Sequence, residues 1–483
     1  MKGKLVSKKP FIQLFKTPNS AYILDANKNE LIPICEESFV FLSKVLNGGD
    51  NGLSPTEEIL ALQEEGYLST ESNVHQVKHV YTEFLPYYLD RKMGQITLQV
   101  TQKCNFRCKY CVYTSKENMK QRMHSQKSMS WRTAKSAVNF LWNHSVDSKK
   151  VNIGFYGGEP LIEFPLIQKV IRYSQKMFEG KELSFSITCN GSLLTREIIR
   201  FFSDNSIDLM ISLDGPEEIN DLNRVFANGK GTFDTVMKAI RLVHEVDPDY
   251  AERLQISMVM DPQNDFDCIN QIFLEESEIK SLAFQSSLVD HELDGEGLFF
   301  SEEYSWKYTY QQFLAVMTHF GRFDKDKVSP IALRGLGSFS KDEEVIGQGI
   351  GLMETDAPAG PCIPGKLRAF VDVDGKLFPC ERVSETSSSM QIGNIFDGFN
   401  VHKALKVLNV GQLTPEACCN CWCFRYCNQC AKRALGSDGC LSTEARLEHC
   451  ANTRSETYHK IAQYLLMKEI PVYYKKQIGT EVR

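Results

Sequence analysis

The sequence has no long apolar run and no export signal. Its longest apolar stretches, such as FLPYYL at 85–90, are far shorter than the roughly 20 residues that a membrane-spanning helix needs. The N-terminus, MKGKLVSKKPF, is basic but carries neither an apolar core nor a cleavage site for export. These absences predict a cytoplasmic protein that makes no contact with a membrane.

An excess of positive charge is also missing. Lys and Arg number 55 against 61 Asp and Glu, which gives a formal net charge of -6. Because nucleic-acid binding depends on clustered positive charge, we expect no nucleic-acid partner. The chain has no internal repeat, and its 483 residues are enough for two or three domains.

Cysteine is abundant, and the positions of the 16 cysteines matter more than their number. Ten of them lie within 362–450 and three more within 104–111. In a reducing cytosol such clusters are typical of metal ligands, whereas a disulfide scaffold would need export. Cys189 and Cys268 stand alone in apolar segments and are predicted to be small core residues.

Residues 1–92 have the pattern of a separate small unit. Two strand-like runs within 21–34 are followed by two helical runs. The second helical run has Ser54 as a possible N-cap, Pro55 at its first position and Gly66 as its stop. A hairpin with paired helices predicts a winged-helix-like module.

Residues 95–320 alternate strand and helix in six βα-type units, with Ser130 capping the first helix. This alternation predicts an α/β fold with a parallel sheet, either open or partly closed as a barrel. A linker is predicted at 323–361, a cysteine-rich domain at 362–455 and a helical tail at 456–483.

Cys104, Cys108 and Cys111 follow the first strand of the α/β segment. Three thiolates on so short a loop can hold three irons of a 4Fe–4S cube, which leaves the fourth iron free for a small molecule. A zinc knuckle is the alternative, but no fourth zinc ligand stands close by in the sequence. In parallel sheets the chemistry lies at the C-terminal ends of the strands, where this loop is predicted.

The segment CNFRCKYC resembles the CxxxCxxC signature of the radical SAM superfamily, including the aromatic Tyr110 before the last cysteine. The segment GGEP, formed by Gly157, Gly158, Glu159 and Pro160, resembles the second signature of that superfamily. The resemblance implies a partial (β/α)6 barrel that holds a 4Fe–4S cluster and S-adenosylmethionine (SAM). The glycines allow the backbone to approach a ligand closely, and the Glu159 carboxylate can pair with the SAM ammonium.

The segment SLDGP at 212–216 and Arg224 also resemble the superfamily. The resemblance implies that Ser212 and Arg224 help to bind the SAM carboxylate or ribose. From the residues alone, Ser212 could equally end a strand and Arg224 could be a solvated surface charge. The sequence identifies no catalytic acid or base.

The C-terminal cysteines resemble the SPASM extension of radical SAM enzymes, which carries two auxiliary 4Fe–4S clusters. The segment AFVDVDGKLFPC predicts a hairpin with an Asp-Gly turn before the last cysteine. The order in the family implies two ligand sets: Cys362, Cys380 and Cys430 for one cluster, and Cys418, Cys421, Cys427 and Cys450 for the other.

The extension departs from the family pattern at Cys427 and Cys430, which are separated by two residues where the family has three. The first auxiliary cluster is therefore expected to have an open iron, unless Cys440 closes it. Cys419 and Cys423 are surplus. The alternative is a zinc ribbon made of Cys418, Cys421, Cys427 and Cys430.

Together the segments resemble the maturases of ribosomally made peptides, and in layout those that form thioethers in cysteine-rich precursors. The resemblance implies that SAM yields a 5′-deoxyadenosyl radical, which takes hydrogen from a peptide carbon before a cysteine sulfur bonds to that carbon. It implies a precursor whose leader adds a strand to the sheet edge near 21–34, and a flavodoxin- or ferredoxin-type reductant.

Other functions stay open at this level. Carbon–carbon cross-linking and formylglycine-type oxidation use the same radical. A non-catalytic iron–sulfur electron carrier or a zinc-stabilised peptide-binding scaffold would have no use for the GGEP element. The N-terminal module could also be a structural cap.

Overall fold

The computed structural model describes residues 9–48, 54–114, 121–289, 299–342, 345–358, 360 and 362–478. The ends of the predicted segments 1–92 and 456–483, and a few positions of the predicted linker, lie outside these residues.

The N-terminal unit is a three-stranded antiparallel sheet with helices on both faces. Its elements are β1 (Ile12–Lys16), β2 (Ala21–Asp25), β3 (Glu30–Ile34), α1 (Glu36–Leu46) and α2 (Glu57–Glu64). Successive strand residues point to opposite faces. Ile12 and Ile23 therefore pack against α1 and α2, while Phe15 and Leu24 pack against the helix at the C-terminal end of the chain.

Three details of this unit differ from the sequence prediction. The strand β1 was not predicted, and β2 lies in the middle of the sheet, so only β3 of the predicted region 21–34 is an edge. The N-cap of α2 is Thr56 and not Ser54, because the Thr56 hydroxyl accepts the backbone N–H of Ile59 at 3.2 Å.

A short connection leads from this unit into the central α/β region. It consists of β4 (Gln76–Val77) and α3 (Leu85–Arg91). The α/β elements that follow are β5 (Gln95–Thr101), α4 (Trp131–His144), β6 (Lys150–Gly157), α5 (Phe164–Met177), β7 (Glu182–Cys189), α6 (Arg196–Asp204), β8 (Ile207–Ser212), α7 (Glu217–Asn223), α8 (Phe233–Val246), α9 (Pro248–Ala251), β9 (Gln255–Met260), α10 (Phe266–Glu275), α11 (Ser277–Lys280) and β10 (Ala283–Leu288).

The strands β5 to β10 are parallel and lie side by side in the order β10-β9-β8-β7-β6-β5. The predicted α/β fold with a parallel sheet is therefore confirmed. Ile96, Leu98 and Val100 of β5 are fully buried, as expected for a strand whose sheet is covered by helices. Ser130 caps α4 as predicted, since its hydroxyl accepts the N–H of Thr133.

The stretch predicted to be a linker, 323–361, contains a helix. After β10 the chain forms α12 (Glu302–His319) and α13 (Pro330–Asp342). Ile331 and Ala332 of α13 are buried, 4% and 1% exposed. The linker prediction is therefore wrong for this stretch, because packing outweighs a glycine-rich composition.

The cysteine-rich segment extends the central sheet. Its elements are β11 (Thr355–Asp356), β12 (Ala369–Val371), β13 (Lys376–Phe378), β14 (Gly393–Asn394), β15 (Gly398–Phe399), α14 (Val401–Leu408), α15 (Pro415–Cys419), α16 (Thr443–Glu448) and α17 (Cys450–Ile478). Strand β12 pairs in parallel with β5, and β13 pairs antiparallel with β12. The predicted hairpin is present, with Gly375 at a φ of +93° in its turn.

Helix α17 begins at Cys450, before the predicted tail boundary at 456, and packs on the N-terminal sheet. Within the described ranges, no helix is both long enough and apolar enough to cross a bilayer.

The first prediction concerns the contact between α17 and the N-terminal sheet. Phe15 is fully buried, and its ring stacks on that of Tyr458 with centroids 4.8 Å apart. We expect Phe15→Ala to lower the free energy of unfolding by about 3–5 kcal/mol in denaturant titrations. Phe84→Ala is the matched control, since Phe84 is 56% exposed. Equal effects of the two substitutions would show that this contact does not stabilise the protein.

Candidate functional site

The loop with Cys104, Cys108 and Cys111 follows the C-terminal end of β5. Backbone hydrogen bonds attach it to the residues at the C-terminal end of α7. The backbone N–H of Arg107 donates to the Val225 carbonyl at 2.7 Å, and that of Lys109 donates to the Asn223 carbonyl at 2.9 Å. These bonds hold the loop across the strand ends, where the sequence predicted the chemistry to lie.

The thiols of this loop are shielded from solvent. Burial raises the pKa of Cys104 to about 12 and that of Cys108 to about 11. Such thiols keep their protons at neutral pH unless a metal replaces them. The backbone N–H of Phe106 points at the Cys104 Sγ from 3.4 Å, a donor suited to a thiolate. The three buried or half-buried thiols and the N–H that points at one of them fit the ligands of an iron–sulfur cluster.

Gly157 and Gly158 lie directly against the cysteine loop. A Cβ on Gly157 would stand 2.1 Å from the Thr101 carbonyl oxygen, and one on Gly158 would stand 2.0 Å from that of Lys103. The Gly158 N–H donates to the Thr101 carbonyl at 2.9 Å, and Gly157 has a φ of +142°. Both positions therefore need glycine because of the loop itself, a reason that differs from the predicted approach to a ligand.

Glu159 is fully buried behind these glycines. One carboxylate oxygen accepts the N–H of Leu161 at 2.9 Å, and the other accepts the N–H of Asn190 at 2.7 Å. Pro160 begins the short 3-10 turn that Glu159 caps. Burial raises the pKa of Glu159 to about 7, and the two N–H donors oppose this rise. The carboxylate thus joins the ends of β6 and β7, and each oxygen retains acceptor capacity for a cation.

Tyr110 and Arg224 belong to one buried network, and the sequence had not singled out its third member, Asp214. The Tyr110 hydroxyl donates to Asp214 at 2.6 Å and accepts from Arg224 at 2.8 Å. Arg224 is 6% exposed, so the alternative that it is a solvated surface charge is wrong. Its Nε has no hydrogen-bond partner in the described chain, which leaves a buried donor for an anionic group. Ser212 is the last residue of β8 and is half-buried.

Polar residues near the cysteine loop complete its surroundings. Asn105 accepts a hydrogen bond from the Asn190 side chain at 2.9 Å and donates to Ser192 at 2.8 Å, which ties the loop to the end of β7. His124 places its Nε2 3.9 Å from the Cys111 Sγ. His124 is 13 positions from Cys111 in the sequence and comes near it because the chain returns after the loop.

The cysteines predicted for the first auxiliary cluster, Cys362, Cys380 and Cys430, come from distant parts of the chain; we call them the first auxiliary set. Arg368 interacts electrostatically with both Cys362 and Cys380, and Cys380 with Cys430. Gly360 lies close to the segment 418–430, which contains Cys430. A Cβ on Gly360 would be 2.4 Å from the Asn428 carbonyl carbon. Burial raises the pKa of Cys380 to about 11. The segment that contains Cys362 therefore lies beside the segment 418–430.

The second auxiliary set lies between α15 and the start of α17. It consists of the cysteines predicted for the other cluster, Cys418, Cys421, Cys427 and Cys450. The charges of Cys418 and Cys421 act on Cys427, and the thiol of Cys418 lies 3.2 Å from the Thr414 hydroxyl. The Cys450 Sγ lies 3.7 Å from the amide nitrogen of Gln429. Burial raises the pKa of Cys421 and of Cys427.

The surplus cysteines have different surroundings. Cys423 is buried and its thiol bonds to the Thr457 hydroxyl at 3.1 Å, as expected of a core residue. Cys440 is exposed in a turn closed by the N–H of Gly436, and its role as a ligand stays a prediction. All 16 cysteines are free thiols.

Glu385 joins the cysteine-rich segment to the central sheet, a contact that the sequence did not predict. It accepts hydrogen bonds from Tyr113 and Gln99, both at 2.7 Å, and from the Nε of Arg122 at 2.6 Å. The Glu385 and Arg122 side chains are 4% and 11% exposed. This network fixes the segment that follows Cys380 against the segment that follows Cys111.

In the described part of the chain, no three His, Cys, Asp or Glu side chains converge at the distances of a single metal ion. A tetrahedral zinc site holds its sulfurs about 2.3 Å from one ion, whereas a cube takes one thiolate per iron.

Comparison with known proteins agrees with this geometry. Residues 98–272 match the model of the Radical SAM superfamily. The matched range contains the cysteine loop, the GGEP turn and the network of Tyr110, Asp214 and Arg224, so the candidate site lies within the segment that is similar to the radical SAM superfamily. Among solved structures, native anSMEcpe with bound AdoMet has a TM-score of 0.56 at 20% identity and covers 78% of this chain and 98% of that one, a likeness of fold.

Several relatives in sequence are named as enzymes. The cysteine-type anaerobic sulfatase-maturating enzyme of Clostridium perfringens is 24% identical over 379 residues, which cover 76% of this chain and 95% of that enzyme. The radical SAM cyclopropyl synthase TigE of Paramaledivibacter caminithermalis is 28% identical over 159 residues, 31% of this chain and 32% of that protein. Two further relatives are matched over 46% and 42% of their own length.

The second prediction concerns Glu159. A SAM ammonium beside this carboxylate favours its ionised form, so protonation at a pH below about 7 removes the attraction. We expect SAM affinity, measured anaerobically by calorimetry, to fall as the pH is lowered through this range. Glu159→Gln should lower the affinity by about ten- to hundred-fold at pH 8 and abolish the pH step, since it removes a charge-assisted bond of roughly 1.5–3 kcal/mol.

Glu163→Gln is the matched control for this prediction. Glu163 is on the same turn but bonds to Ser128 and Lys103, so its substitution should retain the affinity and the pH step. An unchanged affinity in Glu159→Gln would remove Glu159 from the SAM site.

Proposed function

We propose that the protein is a radical SAM maturase that modifies a ribosomally made peptide. The observation that carries the proposal is the cysteine loop after β5, against which the GGEP turn packs through backbone contacts too close for a side chain. The sulfatase-maturating relative, which matches most of the chain, supports action on a polypeptide substrate.

Each group of polar residues near the cysteine loop has its own role in the proposed reaction. Cys104, Cys108 and Cys111 would hold a 4Fe–4S cluster with one iron free, and Glu159 would bind the SAM ammonium. Arg224, oriented by Tyr110, presents its unpartnered Nε to an anionic group such as the SAM carboxylate. When bound, the first cluster supplies the electron that splits SAM into methionine and a 5′-deoxyadenosyl radical, and the auxiliary clusters supply an acceptor for the electron that the oxidised substrate releases.

The finer proposal is thioether formation from a cysteine of the substrate. One C–H bond and one S–H bond break and a C–S bond forms. The hydrogen atom from carbon ends in 5′-deoxyadenosine, the thiol proton goes to solvent, and the remaining electron goes to the oxidised acceptor. A cluster held by Cys362, Cys380 and Cys430 alone would have a fourth position for a substrate thiolate, whereas ligation by Cys440 would close that position.

Formylglycine-type oxidation is the second candidate, and the cysteine-type sulfatase-maturating relative favours it. The products differ in composition. A thioether retains the sulfur and loses two hydrogen atoms, whereas formylglycine made from cysteine loses the sulfur. Accurate mass of the modified peptide separates the two.

The proposed partners are a cysteine-rich precursor and a flavodoxin- or ferredoxin-type reductant in the cytoplasm. The leader of the precursor would add a strand to the edge strand β3, next to β2. The arrangement of all cysteines as free thiols accords with a reducing compartment.

The third prediction tests the core. Anaerobically purified protein should hold roughly twelve irons per chain, in three cubes of four. Replacing Cys104, Cys108 and Cys111 together by Ala should remove about four irons and abolish formation of 5′-deoxyadenosine in the presence of dithionite. Cys189→Ala is the control, because Cys189 is a buried core residue. Production of 5′-deoxyadenosine by the triple variant would refute the proposal.

The fourth prediction tests the docking edge. We expect a synthetic cysteine-rich precursor peptide that includes its leader to slow hydrogen–deuterium exchange of the backbone amides in 30–34. The opposite edge strand β1 is the internal control and should be unaffected. Protection of neither edge during productive modification would show that the module is a structural cap.

A further inference from the structure

Arg446, in α16, carries a buried charge without a counter-ion. It is 1% exposed. Its Nε donates to the Thr414 hydroxyl at 3.2 Å, and its Nη1 has no hydrogen-bond partner among the residues that the structure describes. In the described parts of the chain, no carboxylate lies within ion-pair distance of it. A guanidinium stays protonated in proteins, so neutralisation does not relieve this burial.

A buried charge of this kind is strongly unfavourable unless an anion compensates it. The anionic groups available here are the sulfurs of the second auxiliary set. Cys427 lies within electrostatic range of Arg446. The Cys450 Sγ lies 3.8 Å from the Arg446 backbone carbonyl oxygen, so this cysteine is on the adjacent turn of chain.

Thr414 connects Arg446 to a third sulfur. Its hydroxyl accepts from the Arg446 Nε and lies 3.2 Å from the Cys418 Sγ. Because the oxygen accepts from nitrogen, its own hydrogen is free to point at the sulfur. Thr414 is 4% exposed, so solvent does not compete for this bond. When Cys418 is a thiolate, which can only accept, the hydroxyl donates to its sulfur and the donors run from the guanidinium to the sulfur.

We propose that Arg446 is the internal counter-cation of the second auxiliary cluster and, through Thr414, a hydrogen-bond donor to it. The inference rests on the proposed function, since it requires that Cys418, Cys421, Cys427 and Cys450 hold a 4Fe–4S cluster. Arg446 is a positioning and tuning residue that does not touch the substrate.

The charge of Arg446 has a direct redox consequence. Reduction adds one negative charge to a site that is already anionic, and a buried positive charge lowers the electrostatic cost of that step. Arg446 therefore raises the reduction potential of the second auxiliary cluster. A higher potential suits an acceptor for the electron that the oxidised substrate releases.

The chain offers a matched control on the neighbouring helix. Arg454 interacts with Cys421 of the same set, but it is solvent-exposed. Its charge is screened by water and salt, so it should influence the cluster much less than Arg446 does. Both substitutions to Gln remove one positive charge near the same sulfurs. Arg446 is buried and reaches them through Thr414, whereas Arg454 is exposed and hydrogen-bonds to Cys421.

The test uses the full-length, anaerobically reconstituted protein. Iron content and EPR-monitored potentiometric titration are measured for the wild type and for the variants Arg446→Lys, Arg446→Gln, Thr414→Val and Arg454→Gln. We expect the midpoint potential of one auxiliary cluster to shift to more negative values in Arg446→Gln and, by less, in Thr414→Val. Arg446→Lys and Arg454→Gln should stay close to the wild type, with iron content unchanged.

Two further outcomes are informative. If Arg446→Gln assembles about four irons fewer while Arg446→Lys keeps them all, the charge is needed to hold the cluster and the proposal stands. If the Lys and Gln variants behave alike, whether both resemble the wild type or both lose iron, the counter-cation role is refuted. A wild type with only about four irons, or with zinc at these cysteines, would instead refute the auxiliary clusters of the proposed function.

Discussion

The site depends on the close approach of two backbone segments at the ends of β5 and β6. Gly157 and Gly158 lie on the carbonyls of Thr101 and Lys103 at distances that leave no room for a Cβ. This contact fixes the start of the cysteine loop relative to the GGEP turn. It also directs Glu159 inward, where two N–H donors hold its carboxylate. The cysteines and the carboxylate can therefore act on one small molecule.

The cysteine-rich extension is joined to this core as a continuation of its sheet. Strand β12 pairs with β5, the strand that leads into the cysteine loop. Glu385 adds a buried bond to Tyr113, which follows the loop on its far side. Two independent connections thus relate the C-terminal cysteines to the three-cysteine loop. Such a relation is needed if an electron or a substrate sulfur is to pass between them.

The features that could be predicted from the sequence are those that depend on residues close together in the chain. The alternation of strands and helices, the Ser130 cap and the cysteine spacing follow from neighbours a few residues apart, and the structure contains them. The contacts of Glu385 to Tyr113 and Gln99 join residues more than 270 positions apart, and no local pattern encodes them. Arg446 resembles any surface arginine until its burial is known.

The errors have equally physical causes. Ser54 followed by proline has the pattern of a helix start, but Thr56 has the better geometry for accepting the N–H of Ile59. Helix α13 lies in a glycine-rich stretch, so its formation depends on packing against distant residues. The need for glycine at 157 and 158 was predicted correctly in kind, although the partner is the cysteine loop.

The central claim is that the three-cysteine loop holds a cluster whose free iron binds SAM. The most direct measurement is the EPR spectrum of the dithionite-reduced protein with and without SAM, in a variant that lacks the auxiliary cysteines. We predict a reduced 4Fe–4S signal whose g values and line shape change when SAM is added, because SAM becomes a ligand of the free iron. A reduced cluster signal that SAM leaves unchanged would contradict the account.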